Sequence, residues 1–326
     1  MSYAPIARAG VLCALTVALS AQDQPAPIRT EVPLVLIPVA VVDRKGNSID
    51  GLTTEDFAVT DDGVRQRIRM DTSDTLLTPV SLVVAAESNG ISAPALARIR
   101  RVGSMIQPLI VGERGQAAVL KFDSEVKVLE EFTSDSTRIR DAFANMRTGS
   151  ATQARLIDAV AEGVKMLSAG SESSRRVMLI LSESRDRGSK MKLAQAVELA
   201  QRAGVTIYPA TYSAQASTWI SKPEDAAEAA NSGGTGLIGL ITEPARLGTT
   251  NDADAFAEAT GGRHLSFLTL NSLEKVISKA GEEIHSQYLL SFQPTATANS
   301  GFHRVYVAVP SKKDAVVRAR PGYWAK

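Results

Sequence analysis

The sequence predicts an α/β fold: a doubly wound, mostly parallel sheet with a small accessory β module formed by the N- and C-terminal segments. Apolar strand-like runs alternate with amphipathic helical segments between residues 76 and 286, which is typical of parallel strands covered by helices on both faces. The flanking segments contain short β-prone runs instead. Of the 326 residues, 44% are hydrophobic and 22% are charged, a composition that supports a packed core.

Residues 1–21 have the layout of a secretory signal peptide. Arg8 precedes an apolar run at 9–19, which ends in small residues and is too short to span a membrane. Cys13 lies inside this run after a leucine, whereas a lipid-anchor signal requires a small residue before the cysteine. Residues 22–32 are expected to form a flexible N-terminus, and no other stretch is long and apolar enough for a transmembrane segment. We therefore expect a secreted or periplasmic protein.

The N-terminal β unit is predicted at residues 33–75. Residues 33–42 are strongly β-prone, and Asp62-Gly63 predicts a hairpin turn between strands at 57–60 and 64–70. Three acidic residues in the turns of this unit are expected to be solvated: Asp43, Asp61 and Asp62.

The central domain is predicted at residues 76–286. Its strands are predicted at 80–86, 116–122, 126–132, 177–181 and 205–209, with a short one near residue 264. Its helices are predicted from residue 92 and at about 136–146, 153–168, 190–203, 252–259 and 270–286. Residues 213–250 interrupt this alternation and are expected to be a flexible insertion. Residues 287–326 are predicted to form strands that pack with the N-terminal unit, because neither segment has enough strands to stand alone.

Composition excludes several classes of function. A net charge of +1 indicates no surface for nucleic acid. A single cysteine excludes an intrachain disulfide and a cysteine-based metal centre. The three histidines, His264, His285 and His303, have no local Ser or Asp partner pattern, and no G-x-S-x-G motif is present. We therefore expect a protein that is not an enzyme, with a hydrolase as a remote alternative.

Several phrases of the sequence resemble a known family. An L-T-x-E-D-F-x-V phrase at 52–59 is followed by Asp62-Gly63, an aromatic strand with a final proline lies at 288–294, and R-P-G-Y lies at 320–323. Together with the order of the strands and helices, they resemble the Rossmann-like von Willebrand factor A fold. They are more similar still to the VWFA-related acidobacterial domain family, over about residues 33–325.

The resemblance implies a site for Mg²⁺ or Mn²⁺, the metal-ion-dependent adhesion site, where the strands end. Its first motif, D-x-S-x-S, corresponds here to residues 87–91 (E-S-N-G-I), and its later Asp corresponds to Glu183. The family's site also takes a threonine from a later loop, which corresponds here to residues 148–158. In this threonine loop, Thr152 is the best oxygen donor, although strict spacing to Asp158 selects Ala154. The candidate metal ligands are Glu87, Asn89, Thr152 and Glu183. The site is degenerate, because isoleucine cannot ligate a metal and glutamate crowds an octahedral site built for aspartate.

Two hypotheses follow for this site. A weakly held Mg²⁺ or Mn²⁺ balances Glu87 and Glu183, and the protein binds an acidic group of its ligand. Alternatively, Arg185 or Arg187 supplies the positive charge, no cofactor is needed, and the domain is a metal-independent recognition module. The lost hydroxyl at residue 91 favours the second hypothesis.

The expected function is protein–protein recognition or adhesion outside the cytoplasm. The partner is a protein or a surface ligand, not a nucleic acid. The residues expected on the ligand-binding surface are Ser88, Ser184, Arg185 and Trp219.

Overall fold

The computed structural model describes residues 1, 34–70, 78–90, 92–170, 174–212, 251–294 and 300–325. The predicted signal peptide, the flexible segment 22–32 and the insertion 213–250 with Trp219 lie outside these ranges, as does Ile91. Within the described ranges, no helix has both the length and the apolar character needed to cross a membrane.

The strands and helices follow one another in the order that the sequence predicts. The strands are β1 (Val35–Val42), β2 (Ala58–Asp61), β3 (Val64–Arg65), β4 (Ile68–Met70), β5 (Val80–Glu87), β6 (Gln116–Phe122), β7 (Val126–Thr133), β8 (Arg175–Ser182), β9 (Thr206–Thr211), β10 (Leu265–Ser266), β11 (Tyr288–Phe292), β12 (Gly301–Ala308), β13 (Val316–Ala319) and β14 (Gly322–Ala325). The α-helices are α1 (Ala93–Ile99), α2 (Gly103–Ile106), α3 (Ser136–Ala144), α4 (Leu156–Ala169), α5 (Leu193–Arg202), α6 (Asp252–Thr260) and α7 (Leu270–Ser286). The described residues also include a 3₁₀ turn (Thr54–Asp56) and a π-helical turn (Gln107–Val111).

The central sheet has six strands in the order β10-β9-β8-β5-β6-β7. All neighbouring pairs are parallel except β6 and β7, which are antiparallel. This is the doubly wound order, in which the chain builds outwards from β5 in one direction and then returns to build from β8 in the other. The predicted fold class is therefore confirmed. The carboxyl ends of β5 and β8 meet where the order reverses, which is where open α/β sheets bind ligands.

Strand β5 is buried along its whole length because helices cover both faces of the sheet. Leu82 and Val84 face a core built with α1, α2, α3 and α7. Val83 and Ala85 face the opposite core, built with α4, α5 and α6. Alternating side chains of one continuous apolar strand thus supply two separate cores.

The N- and C-terminal segments interleave in two four-stranded sheets. Their orders are β13-β1-β11-β4 and β14-β12-β2-β3, and their facing side chains share one core that includes Phe57, Phe292 and Tyr323. Every pair in these sheets is antiparallel.

The predicted single hairpin strand at 64–70 is wrong. Val64 and Arg65 pair with β2, whereas Ile68 and Met70 pair with β11 in the other sheet. The segment divides because Ile68 and Met70 pack against the shared core, while Val64 and Arg65 are exposed.

Helix α7 lies so close to the π-helical turn that Gly281 has no space for a side chain. A Cβ at this position would lie 2.1 Å from the backbone oxygen of Leu109. We expect Gly281→Ala to lower the free energy of unfolding by about 2 kcal/mol, although the same change stabilises an exposed helix by about 1 kcal/mol. Urea unfolding measures this difference. The matched control is Gly170→Ala, where the added methyl lies 3.5 Å from Leu167 O, and the expected change is below about 0.5 kcal/mol.

Candidate functional site

Glu87 is the last residue of β5, and its side chain is buried, with 1% exposed. One oxygen, Oε2, accepts a hydrogen bond of 2.6 Å from the backbone N–H of Glu183. The other, Oε1, accepts bonds from Asn89 Nδ2 at 2.8 Å and from Arg187 Nη2 at 3.0 Å. Both oxygens are thus hydrogen-bonded, as a buried carboxylate requires.

Arg187 lies between the two glutamates that the sequence aligns with the metal site. Its Nη2 is 3.0 Å from Glu87 Oε1 and 2.5 Å from Glu183 Oε2. The guanidinium is 35% exposed and the Glu183 side chain 18%, so the cluster runs from the buried end of β5 towards the surface. The structure therefore assigns the balancing charge to Arg187 and not to Arg185, the other arginine that the sequence offers for this role.

The backbone of the loop after β8 fixes the position of Arg187. Ala154, the residue that strict motif spacing selects, forms two backbone hydrogen bonds with Arg187, at 3.0 and 2.8 Å. Asp186 accepts a bond of 3.1 Å from the N–H of Ile157, and both carboxylate oxygens of Asp158 accept from the backbone N–H of Lys190, at 3.1 and 3.0 Å. These two aspartates tie the loop to the start of α4. Sequence reasoning did not assign them this role, because neither lies in a recognisable turn motif.

The burial of Glu87 and its charged neighbours change the ionisation of the cluster. Burial raises the pKa of Glu87, the nearby Glu183 charge raises it further, and the Glu183 N–H and Arg187 counteract both effects. For Arg187, burial alone would lower the pKa, but Glu183 and Glu87 outweigh it and raise the pKa above its ordinary value. Arg187 therefore stays charged at every physiological pH, so the cluster always contains one fixed positive charge.

Asn89 and Ser88 turn their polar atoms inward. The Asn89 amide nitrogen faces Glu87, and its oxygen accepts a bond of 2.8 Å from the N–H of Ser92. A carboxylate only accepts hydrogen bonds, so the Asn89 amide presents its N–H to Glu87, and its oxygen faces Ser92 instead. Ser88 is fully buried, and its Oγ lies 3.4 Å from the carbonyl oxygen of Phe122. The Ser88 side chain thus lies in the core, away from the predicted ligand surface.

The threonine loop reaches the β5 end through its backbone. Gly149 N–H donates to Ser88 O at 2.6 Å, and Gly90 N–H donates to Ala151 O at 2.9 Å. Thr152 is exposed on this loop. Of the other predicted surface residues, Ser184 is half-buried and Arg185 is exposed.

The donor set matches a divalent cation poorly. An octahedral Mg²⁺ or Mn²⁺ needs oxygen ligands that converge on one point. Here Asn89 presents N–H groups towards Glu87, residue 91 is a hydrocarbon, and the guanidinium of Arg187 contacts both carboxylates. The residues therefore fit an arginine-centred ion cluster and not the cation that the resemblance implies.

Two other groups of titratable residues were not predicted. His264 Nε2 lies 2.6 Å from Thr211 Oγ1, and its Nδ1 contacts Asp254. This is the connectivity of a hydrolase triad, and Thr211 is buried, with 6% exposed. The contacts join α6 to the ends of β9 and β10.

The second group contains Asp61, Asp62 and His303. The expectation that Asp61 is solvated is wrong, because only 8% of it is exposed. Only the pairing of β2 with β12 brings His303 to these aspartates, and no local sequence pattern signals that.

No protein-family model and no curated protein matches the chain. Among solved structures, the conserved hypothetical protein BatB from Bacteroides thetaiotaomicron is similar at 13% identity and a TM-score of 0.43, over 63% of this chain and 98% of that chain. The proximal thread matrix protein 1 from the mussel byssus, with a zinc-occupied MIDAS motif, has 12% identity and a TM-score of 0.46, over 69% of this chain and 49% of that one. The SpRpn10 VWA domain has 9% identity and a TM-score of 0.37, over 61% and 94%.

These likenesses concern the fold alone. The order and direction of the six central strands, described above, are those of a von Willebrand A-like domain. Membership of the VWFA-related acidobacterial family stays a prediction.

Proposed function

We propose that this protein is a metal-independent protein-recognition module that works outside the cytoplasm and catalyses no reaction. The observation that carries the proposal is the contact of one guanidinium, that of Arg187, with both Glu87 and Glu183. In this arrangement the positive charge of Arg187 balances the two carboxylates, as a bound cation would.

The physical argument concerns charge at the end of the sheet. Two carboxylates at neighbouring strand ends repel each other unless a positive charge lies between them. Arg187 supplies that charge from within the chain and binds both acids with a planar fork of N–H donors. A divalent cation would have to displace this guanidinium and leave it without its partners, so the folded protein gains little by binding one.

The proposed binding surface is the carboxyl end of the central sheet. Thr152 and Arg185 are exposed there, and Ser184 is half-buried. The loop that contains Arg185 is held in place by Asp158 and Asp186. A fixed loop at the switch point of the sheet presents the same surface to a partner whether or not metal is present.

Thermal unfolding in EDTA, Mg²⁺ or Mn²⁺ tests metal independence. A cation at 100 times its Kd would stabilise the protein by about 2.7 kcal/mol and raise Tm by about 5 °C, because it binds only the folded state. We expect millimolar Mg²⁺ or Mn²⁺ to change Tm by less than about 1 °C in protein that EDTA has first freed of other metals.

Glu87→Gln is the matched control for this measurement. A cation-dependent rise that disappears in Glu87→Gln would show a working adhesion site and contradict the proposal. A rise that persists in the variant arises elsewhere in the chain and leaves the proposal intact.

Site-specific photo-crosslinking tests the recognition surface. A photo-crosslinking side chain replaces Arg185 in one variant and Glu282, an exposed residue near the end of α7, in another. We expect a discrete crosslinked protein only from position 185, with the same yield in EDTA. Equal crosslinking from both positions would place the binding surface elsewhere, and loss of crosslinking in EDTA would show that binding needs metal.

A further inference from the structure

The β module contains a compact group of three potential metal ligands. Asp61 ends β2, Asp62 occupies the following turn with a φ of 47°, and His303 lies on the paired strand β12. One ligand atom from each residue lies within 4.8 Å of the other two. The group shares no residue with the Glu87 cluster.

Asp61 has one carboxylate oxygen without a donor. Its Oδ2 accepts a hydrogen bond of 2.9 Å from the hydroxyl of Tyr323. Its Oδ1 is buried and has no hydrogen-bond partner among the described residues, and it lies 3.8 Å from His303 Nδ1. A buried carboxylate oxygen without a donor is costly, so a cation at this point would be stabilising.

Asp62 directs an oxygen to the same point. The backbone N–H of Arg304 donates to Asp62 Oδ1 at 2.9 Å, which fixes the orientation of the carboxylate. The other oxygen, Oδ2, then faces His303 Nδ1 at 2.9 Å. Three atoms that can ligate a metal, two oxygens and one nitrogen, therefore converge from two strands and a turn.

We propose that Asp61, Asp62 and His303 form a zinc site. With bond lengths of about 2.0–2.1 Å, two ligands of a tetrahedral zinc ion lie about 3.3 Å apart. The distances from His303 Nδ1 to the two carboxylate oxygens, 2.9 and 3.8 Å, bracket this value. Shifts of about half an ångström would complete the three protein ligands, and water would take the fourth position.

The choice of zinc follows from the ligands and their supports. One imidazole with two carboxylates suits Zn²⁺, whereas Mg²⁺ and Ca²⁺ prefer oxygen ligands only. Tyr323 supports two of the ligands: its hydroxyl donates to Asp61, and its ring stacks on His303 with centroids 5.2 Å apart. Such outer partners commonly orient the ligands of zinc sites.

Zinc affinity, measured by competition with a chromophoric chelator, tests this site. All proteins carry Cys13→Ser, so that the single thiol cannot contribute. We expect one equivalent of Zn²⁺ to bind. His303→Gln and Asp62→Asn should each weaken the affinity by about 100-fold or more, and Tyr323→Phe by about 10-fold. Asparagine tolerates the positive φ of position 62, so Asp62→Asn should fold even in the event that His303→Gln does not.

His264→Gln is the matched control, because His264 also contacts an aspartate, Asp254, but no second carboxylate among the described residues joins it in a three-ligand group. It should bind zinc as the parent does. Unchanged affinity in both His303→Gln and Asp62→Asn, or no binding by the parent at micromolar Zn²⁺, would overturn the proposal. Glu87→Gln should retain zinc, which separates this test from that of the proposed function.

Discussion

Arg187→Ala should lower the free energy of unfolding by about 3 kcal/mol, because it leaves a buried carboxylate without its counter-charge. Glu87 is 1% exposed and would keep only the N–H donors of Asn89 and Glu183, while the charge of Glu183 remains close by. The 35% exposure of Arg187 places the expected loss at the lower end of the range for buried pairs. Urea unfolding at pH 8 measures it.

The destabilisation should depend on pH in a definite direction. The pKa of Glu87 is already raised, mainly by burial, so the folded state holds this proton more tightly than the unfolded state does. The contribution of Glu87 to the free energy of unfolding therefore falls as pH rises from its pKa in the unfolded chain, about 4.3, through its raised pKa in the folded protein. Removing Arg187 raises the folded pKa further. The difference between variant and parent should thus be smaller at pH 5 than at pH 8.

Arg185→Ala is the matched control, because Arg185 carries the same charge two residues away and is exposed. Its expected effect is below about 0.5 kcal/mol. Equal losses in the two variants would mean that net charge, and not the contact with Glu87 and Glu183, stabilises the loop. A loss that is the same at pH 5 and pH 8 would also contradict the assigned role of Arg187.

Glu283→Gln should lower the free energy of unfolding by about 3 kcal/mol, because it also leaves buried charges without their partner, here at the opposite end of the sheet. Glu283 lies on α7 and is 4% exposed. Its Oε2 contacts Arg318 on β13 and lies 3.6 Å from Arg263 Nη1. The neutral amide would leave two mostly buried guanidinium groups without their shared anion, where α7 meets the β module. Urea unfolding measures the loss.

Glu282→Gln is the control for this change, because Glu282 is the exposed neighbour on the same helix. Glu282→Gln should leave the free energy of unfolding nearly unchanged. Because the Glu283 pair is buried, high salt should recover little of the lost stability. A loss below about 1 kcal/mol, or one abolished by salt, would show that these contacts behave as surface ion pairs.

Much of the fold could be predicted because it depends on local patterns. The apolar run at 80–86 indicates a strand covered on both faces, and β5 is buried along its whole length. Glu87 and Glu183 each follow such a run, so their approach at adjacent strand ends follows from a parallel sheet. Hydrophobic periodicity reports burial, and burial decides where strands and helices form.

The choice between Arg185 and Arg187 needed the tertiary structure. Both arginines lie in one loop, and sequence spacing does not show which side chain turns inward. The two backbone bonds to Ala154 direct Arg187 towards the glutamates. Those bonds depend on where α4 lies against the loop, which is a contact between distant elements.

The group of Asp61, Asp62 and His303 shows the same limit more strongly. Asp62-Gly63 correctly predicts a turn, but this pattern does not predict that β12 pairs with β2 beside it. Strand register between β2 and β12 brings His303 to the aspartates across about 240 residues of chain. Local patterns specify whether a residue is buried, whereas the packing and register of distant segments decide which polar atoms meet.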